Sequence, residues 1–468
     1  MRVSDTHLES IVRQVVDRLS RERDERPAGG KAHPQVGVFD DMNAAAAAAE
    51  PAQRALLSLS LAHRKRMIAA IRALLHRFVN ELAESAVTET GLGRVDDKIL
   101  KNRLVIDKTP GPEILEPWTF TGDDGLTLHE RSPIGVLAAI TPCTNPSETV
   151  ICNAIGMVSA GNAVIFNPHP LAKRVSARTV ELLNEAIIST GGPANLVCCL
   201  REPTIESAQA LMRHPKVRMV VVTGGPAVVA EAMKSGKKCI AAGPGNPPVV
   251  VDESADLDVA GKGIVLGSSL DNNIVCIAEK EIIAVDSIAD DLKKSITRHG
   301  GFELTEHNRS KLERLVLDGD HPHKDWIGKN ATKMLAALGI SADPSVRVLF
   351  CETPREHPFV QLEMLMPVIP MVRVKTVHEG IVFAKDVEHG FRHTAVMYSR
   401  NIDNLHEMAK MSDVSIFVKN APSYAGLGMG GEGYTSFTIA GPTGEGLTTA
   451  INFSRERRCT LAGRFRIV

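Results

Sequence analysis

The stretch Leu270-Asp-Asn-Asn-Ile-Val-Cys276-Ile-Ala-Glu279 places one cysteine shortly before a hydrophobic run, Ile282 to Val285. A thiol so placed can attack an electrophilic carbon and hold it as a thioester. Two further segments stand where strands are expected to end: Thr141-Pro-Cys-Thr-Asn-Pro146 and Thr223-Gly-Gly-Pro226. On open α/β sheets, ligands bind outside the carboxyl ends of the strands, so both are candidate binding loops. Asp318-Gly-Asp-His-Pro-His323 has the residue types of a metal cluster. Its spacing matches no ligand pattern, so it reads as a polar loop, and no metal is expected.

The elements that must position these groups can be read from hydrophobic period. Met67, Ile68, Ile71, Leu74, Leu75, Phe78 and Leu82 recur at helical spacing within a helical region over 40–90. Ala44 to Ala49 favours helix, and Pro51 is expected to interrupt it. From Gly135 a strand–helix alternation begins. Strands are expected at 136–140, 163–166, 196–199, 217–222 and 249–251. Helices are expected at 146–160, 172–189, 205–212 and 226–233. Short apolar strands alternating with helices imply a doubly wound parallel sheet. A second α/β unit follows Asp252, with strand candidates at 282–285, 346–350, 368–374, 394–398 and 415–418. The segment 435–468 is rich in Gly and Thr and ends in a strand-like tail.

The totals narrow the class. At 468 residues, two or three domains are expected. Net charge is −1 and aromatics are 4%, which speaks against a nucleic-acid partner. No apolar run approaches the roughly 18 residues of a membrane span, and none is expected. The eight cysteines include no C-x-x-C pair, so neither a zinc site nor a disulfide framework is expected. A reducing cytoplasm fits this usage.

Leu8, Ile11, Val12, Val15, Val16 and Leu19 fall on one stripe of a helix over residues 5–20. Arg21 to Pro34, charged and rich in Gly and Pro, reads as a linker. Such a helix either docks on its own domain or is a docking peptide for another protein.

Taken together, residues 37–468 resemble the aldehyde dehydrogenase superfamily, and specifically the CoA-acylating branch found in propanediol-utilisation microcompartments. The segments that carry the likeness are Thr141 to Pro146, Gly243-Pro-Gly-Asn-Pro-Pro-Val-Val-Val-Asp252, Cys276-Ile-Ala-Glu-Lys280, Val418 to Gly426 and Pro442-Thr-Gly-Glu-Gly446. The resemblance implies that Cys276 is the nucleophile. It implies that the Asn145 amide forms an oxyanion hole with the backbone N–H of Cys276, a pair in which one donor is worth about 10²–10³ in rate. It places Glu363 on the nicotinamide ribose. It places Thr141, Pro142, Thr223, Gly224, Gly225, Ala242 and Gly243 around NAD, with NADP not excluded because Asn167-Pro-His-Pro170 replaces the usual ribose-binding Lys and Glu. Hydrolytic members carry a glutamate base where this chain has Ala241-Ala242-Gly243. Without a base to activate water, transfer to the thiol of coenzyme A is favoured.

The implied organisation is an encapsulation helix at 1–20 and a linker at 21–36. An NAD-binding domain covers 37–115 and 132–246, and a catalytic domain 247–438. A small β oligomerisation element covers 116–131 and 439–468. The implied reaction takes propanal, CoA and NAD⁺ to propanoyl-CoA and NADH, in a homodimer or homotetramer inside a microcompartment. The helix at 5–20 would dock on a shell or cargo protein. The rivals are an acetaldehyde-specific acylating enzyme of an ethanolamine-type compartment, a hydrolytic aldehyde dehydrogenase, and a non-enzymatic protein of the same fold. Deleting residues 1–20 is expected to leave soluble activity near normal and release the enzyme from the compartment, as fractionation would show. Unchanged localisation would assign the helix another role.

Overall fold

The short apolar runs form two parallel sheets in the computed structural model, which describes residues 36–468. The helix expected at 5–20 lies outside the described residues, as does all but the last residue of the 21–36 linker. The first sheet has six strands. From one edge they are Val38–Phe39, Val197–Leu200, Ala163–Pro168, Val136–Thr141, Val217–Thr223 and Lys238–Ala242, each parallel to its neighbour. The chain builds outward from Val136–Thr141 in one direction, then returns to add Val217–Thr223 on its other side. That reversal opens a crevice at the carboxyl ends of these two strands, where such sheets bind ligands. Thr141 and Thr223 are the last residues of the two strands.

The second sheet has seven parallel strands: Gly301–Glu303, Val348–Glu352, Val368–Val374, Glu281–Val285, Pro248–Val251, Thr394–Tyr398 and Ile416–Lys419. Pro248–Val251 therefore does not continue the first series. It lies between Glu281–Val285 and Thr394–Tyr398, buried on both faces. The strand Lys238–Ala242, with a charged first residue and a short apolar run, is an addition to the expected set.

Pro51 does not interrupt its helix, which runs from Met42 to Leu57. The bond it forfeits would reach the carbonyl of Ala47, and Ala47 faces solvent, where water can replace the missing donor. Residues 318–323 do not form an open loop: Leu317–Asp318 pairs with His321–Pro322 in a small hairpin. A third, antiparallel sheet joins Trp118–Gly122, Gly125–Pro133 and Ser454–Ala462.

Two helices tie the sheets to the Cys276 loop. Pro146–Ser159 is buried along all 14 residues, as expected of a helix apolar on most sides. Val95–Lys108 presents a buried face that is unusually polar: Asp97, Lys98, Lys101 and Asn102. That face meets Asp271, the first of three consecutive residues with left-handed backbone, at φ 48°, 55° and 66° for Asp271, Asn272 and Asn273. Non-glycine residues pay roughly 1–2 kcal/mol each for this conformation, and Asn and Asp tolerate it best. Side-chain bonds hold the turn. Asn272 Nδ2 donates to the Gly328 carbonyl and to Asn330 Oδ1, both at 2.8 Å. Asn273 Nδ2 donates to the carbonyls of Ser268 (2.7 Å) and Glu279 (2.9 Å).

Gly93 permits the backbone to wrap Asp271. Its φ is +77°, and a Cβ there would stand 2.0 Å from Asp271 Oδ1. The carboxylate cannot swing away, because it accepts from the Arg94 N–H (2.7 Å) and from two lysines. Gly93→Ala is expected to lower the melting temperature and most of the turnover together. A wild-type melting curve would show that the Asp271 turn is free to shift.

Candidate active site

Cys276 follows the left-handed turn by three residues and is only partly buried, whereas Ile274, Val275, Ile277 and Ala278 around it are buried. The turn thus pushes one thiol out of an apolar loop. It opens on a cavity of about 200 Å³ whose walls also carry Asn145, Glu363, Gly243 and Thr223 to Gly225. Ile274, Ile277, Leu365, Leu427, Phe437 and Ile439 supply an apolar lining. A second cavity of about 450 Å³ lies in the crevice of the first sheet, between Thr141, Asn167–Pro170, Thr204–Met212 and Thr223–Glu231. The two share Pro142, Thr223, Gly224 and Gly225. A long ligand lying in the crevice therefore meets the thiol pocket at this shared wall.

The structure brings Asn145, Cys276, Glu363, Pro142, Gly243 and Thr223–Gly225 together at the thiol pocket, and Thr141 to the crevice. Ala242 lines neither cavity. It is buried at the end of its strand, and its carbonyl accepts from the Gly224 N–H at 3.1 Å, which fixes the glycine loop. No carboxylate occurs at 241–243, but one does enter the pocket from elsewhere, Glu363. Its carboxylate accepts from the Gly245 N–H at 3.3 Å.

The crevice fits a dinucleotide. It sits at the reversal of strand order, and the Thr223–Gly225 loop leads into the N-terminus of the helix Pro226–Met233, a setting suited to phosphate. Within it the Thr141 hydroxyl is buried and has no partner among the described residues, a polar group suited to a ligand. Asn167 is already engaged: its Oδ1 accepts from the Ser207 hydroxyl at 2.6 Å.

Four further residues near the thiol were given no role by the sequence motifs, although Lys280 closes the segment Cys276-Ile-Ala-Glu-Lys280. Lys98 and Lys101 both donate to Asp271 Oδ2, at 2.9 and 2.5 Å. Lys280 Nζ donates to the Asn273 carbonyl (2.9 Å) and to its Oδ1 (2.5 Å), locking the turn from the far side. His393 packs behind the loop: a Cβ on Gly245 would lie 2.7 Å from the Cys276 carbonyl and 3.1 Å from His393 Cγ. His393 Nδ1 pairs with the Thr394 hydroxyl at 2.9 Å, and its Nε2 is buried without a partner among the described residues. The available signal for Lys98 and Lys101 was a helix whose buried stripe is charged. For His393 it was a histidine opening an apolar strand.

Burial governs the electrostatics. It pushes the Cys276 thiol up to about 12, with the Glu363 charge adding to the rise and Lys280 and Lys101 opposing it. Burial likewise raises Glu363, against the pull of Lys280. It lowers His393 to about 4, helped by the Lys280 charge, so that imidazole is neutral at pH 7. The resting thiol is therefore protonated at neutral pH. Iodoacetamide labelling of the Cys276 peptide, followed by mass spectrometry, is expected to be slow at pH 7 and to quicken steadily towards pH 10. Glu363→Gln removes the like charge, lowers the thiol pKa and should label faster at each pH. Equal rates in the two proteins would remove Glu363 from the thiol's surroundings.

Comparison with known proteins agrees with this geometry. Residues 27–300 match the profile described as the aldehyde dehydrogenase family. The chain is 48% identical over 468 residues to an acetaldehyde dehydrogenase (acetylating) of Salmonella typhimurium, covering 98% of this chain and 99% of that one. It is similar to the crystal structure of Rhodopseudomonas palustris propionaldehyde dehydrogenase with bound CoA and an acylated cysteine. There the identity is 50% and the TM-score 0.90, over 91% of this chain and 98% of that one. It is also similar to a propionaldehyde dehydrogenase from the fucose-utilisation bacterial microcompartment of Clostridium phytofermentans. That match has 45% identity and a TM-score of 0.91, over 92% of this chain and all of the other. With a partly exposed thiol at the junction of an apolar pocket and a dinucleotide crevice, the chain belongs to the aldehyde dehydrogenase family.

Proposed function

We propose that the chain is a CoA-acylating aldehyde dehydrogenase that converts propanal, CoA and NAD⁺ to propanoyl-CoA, NADH and a proton. The observation that carries this reading is the shared wall at Pro142 and Thr223–Gly225, which sets the Cys276 thiol pocket against the crevice. Cys276 Sγ attacks the aldehyde carbon, and the oxyanion accepts from Asn145 Nδ2 and the Cys276 backbone N–H. Thr141, Pro142, Thr223, Gly224, Gly225 and Glu363 would hold NAD, with Gly243 beside them and Ala242 fixing the loop; bound there, it supplies the hydride acceptor that leaves an acyl thioester on Cys276. The CoA thiol then takes the acyl group and frees the cysteine.

The missing carboxylate at 241–243 supports CoA over water as the acceptor, as does the likeness to a structure holding CoA and an acylated cysteine. Asn167–Pro170 carries no acidic side chain against a 2′-phosphate, so NADP is compatible with the same crevice. The apolar pocket suits a short aliphatic aldehyde. Acetaldehyde is the second substrate reading, favoured by the acetylating relative; one methylene is worth about 1–3 kcal/mol in such a pocket. Residues 37–115 with 132–246 are the cofactor domain in this reading, and 247–438 the catalytic domain. Residues 116–131 with 439–468 form the contact of a homodimer or homotetramer; Trp118 and Phe120 are exposed there. Residues 5–20 dock on a shell or cargo protein of a microcompartment.

NADH formation should require CoA for steady turnover with propanal, and Cys276→Ala should abolish it. Sustained turnover without CoA would establish the hydrolytic reading instead. Higher kcat/KM for acetaldehyde than for propanal would reassign the substrate within the same chemistry.

A further inference from the structure

Lys101 is buried in the helix Val95–Lys108, 44 residues before Asn145. Its ammonium has three N–H donors and no acceptor. Two of them go to Asn145 Oδ1 and Asp271 Oδ2, both at 2.5 Å, and the Glu148 carboxylate forms an ion pair with the same ammonium at 3.1 Å. Burial alone would lower its pKa, but the charges of Asp271 and Glu148 outweigh it and hold Lys101 above its ordinary value.

An asparagine amide has an acceptor end and a donor end, of nearly equal shape. A donor-only ammonium can face the acceptor end alone. We infer that Lys101 is a positioning residue that fixes the rotamer of Asn145, turning Nδ2 toward the thiol pocket. Asn145 Nδ2 also reaches the Thr144 hydroxyl at 3.3 Å, which leaves one N–H for an incoming oxyanion. The positive charge on the carbonyl end draws electron density from the amide and makes that N–H the stronger donor. The same Lys101 binds the first residue of the turn that presents Cys276. One side chain thus sets both the donor and the loop of the second donor. The fixed orientation requires no reorganisation when charge develops, which is the condition for a preorganised site.

This rests on Asn145 being the oxyanion donor, and a double-mutant cycle separates the two claims. Asn145→Ala alone tests the reading of Asn145: it should lose about 10²–10³ in kcat with propanal. Lys101→Met should lose about tenfold to a hundredfold in kcat, as part of that same donor's worth, with the propanal KM little changed. In the Asn145→Ala background, Lys101→Met should cost several-fold less than in the wild type, leaving only the part that runs through the Asp271 turn. Lys101→Met/Glu148→Gln removes one charge of each sign and serves if the single variant does not fold. Glu148→Gln alone is its reference. A Lys101 effect of equal size with and without Asn145, or no effect at all, would overturn the positioning role while leaving Asn145 as donor. Normal turnover of Asn145→Ala would overturn the donor reading itself.

Discussion

Asp271 and the lysines that bind it lie where water does not reach, and the active site depends on that contact. Lys98, Lys101 and Asp271 are fully buried, and two ammonium groups converge on one carboxylate oxygen. Such a cluster survives only when every donor and acceptor is matched, and removing one partner from a buried pair typically costs about 3–5 kcal/mol. Lys101 meets this with hydrogen bonds to Asn145 and Asp271 and an ion pair with Glu148. Lys98 also donates to the Thr144 carbonyl at 3.0 Å, so the Asn145 loop is held at two adjacent residues. Asp97 accepts from the Asp271 N–H at 3.0 Å and from Arg347 at 2.8 Å, extending the tie into the second sheet. The cluster thus fastens a helix of the first half of the chain, the Asn145 loop and the Cys276 loop to one point.

This fastening explains how a strained turn can be stable. Three successive left-handed residues would relax if left alone, but each has side-chain bonds that only this backbone satisfies. The strain lifts Cys276 out of an otherwise buried run. The thiol still faces an apolar pocket, and this burial, with the Glu363 charge, pushes it up to about 12, poorly nucleophilic at rest. Lys280 and Lys101 pull in the opposite direction, and in the proposed mechanism Asn145 offers its donor only to charge that develops on the substrate. Reactivity is therefore assembled at the moment of attack rather than stored in the resting thiolate.

Much of this was legible in the sequence. The alternation of apolar strands and helices gave both parallel sheets, because strands buried on two faces read as short continuous apolar runs. Cys276 stood out as a thiol ahead of such a run, and the family motifs supplied Asn145 and Glu363. The charged cluster was not legible, since Lys98 and Lys101 look like solvent residues on a helix until Asp271 is seen against them. Pro51 misled for a local reason: its lost hydrogen bond falls on the wet face of the helix. Pro248–Val251 reads as a strand in either sheet, and only its pairing with Glu281–Val285 and Thr394–Tyr398 assigns it.

The central claim is that Cys276 holds the acyl group until a thiol removes it. The direct measurement is mass spectrometry of the enzyme mixed with propanal and NAD⁺ in the absence of CoA. The account predicts one propanoyl group on the peptide containing Cys276, lost as propanoyl-CoA when CoA is added. An unmodified Cys276 with free propanoate accumulating would contradict it.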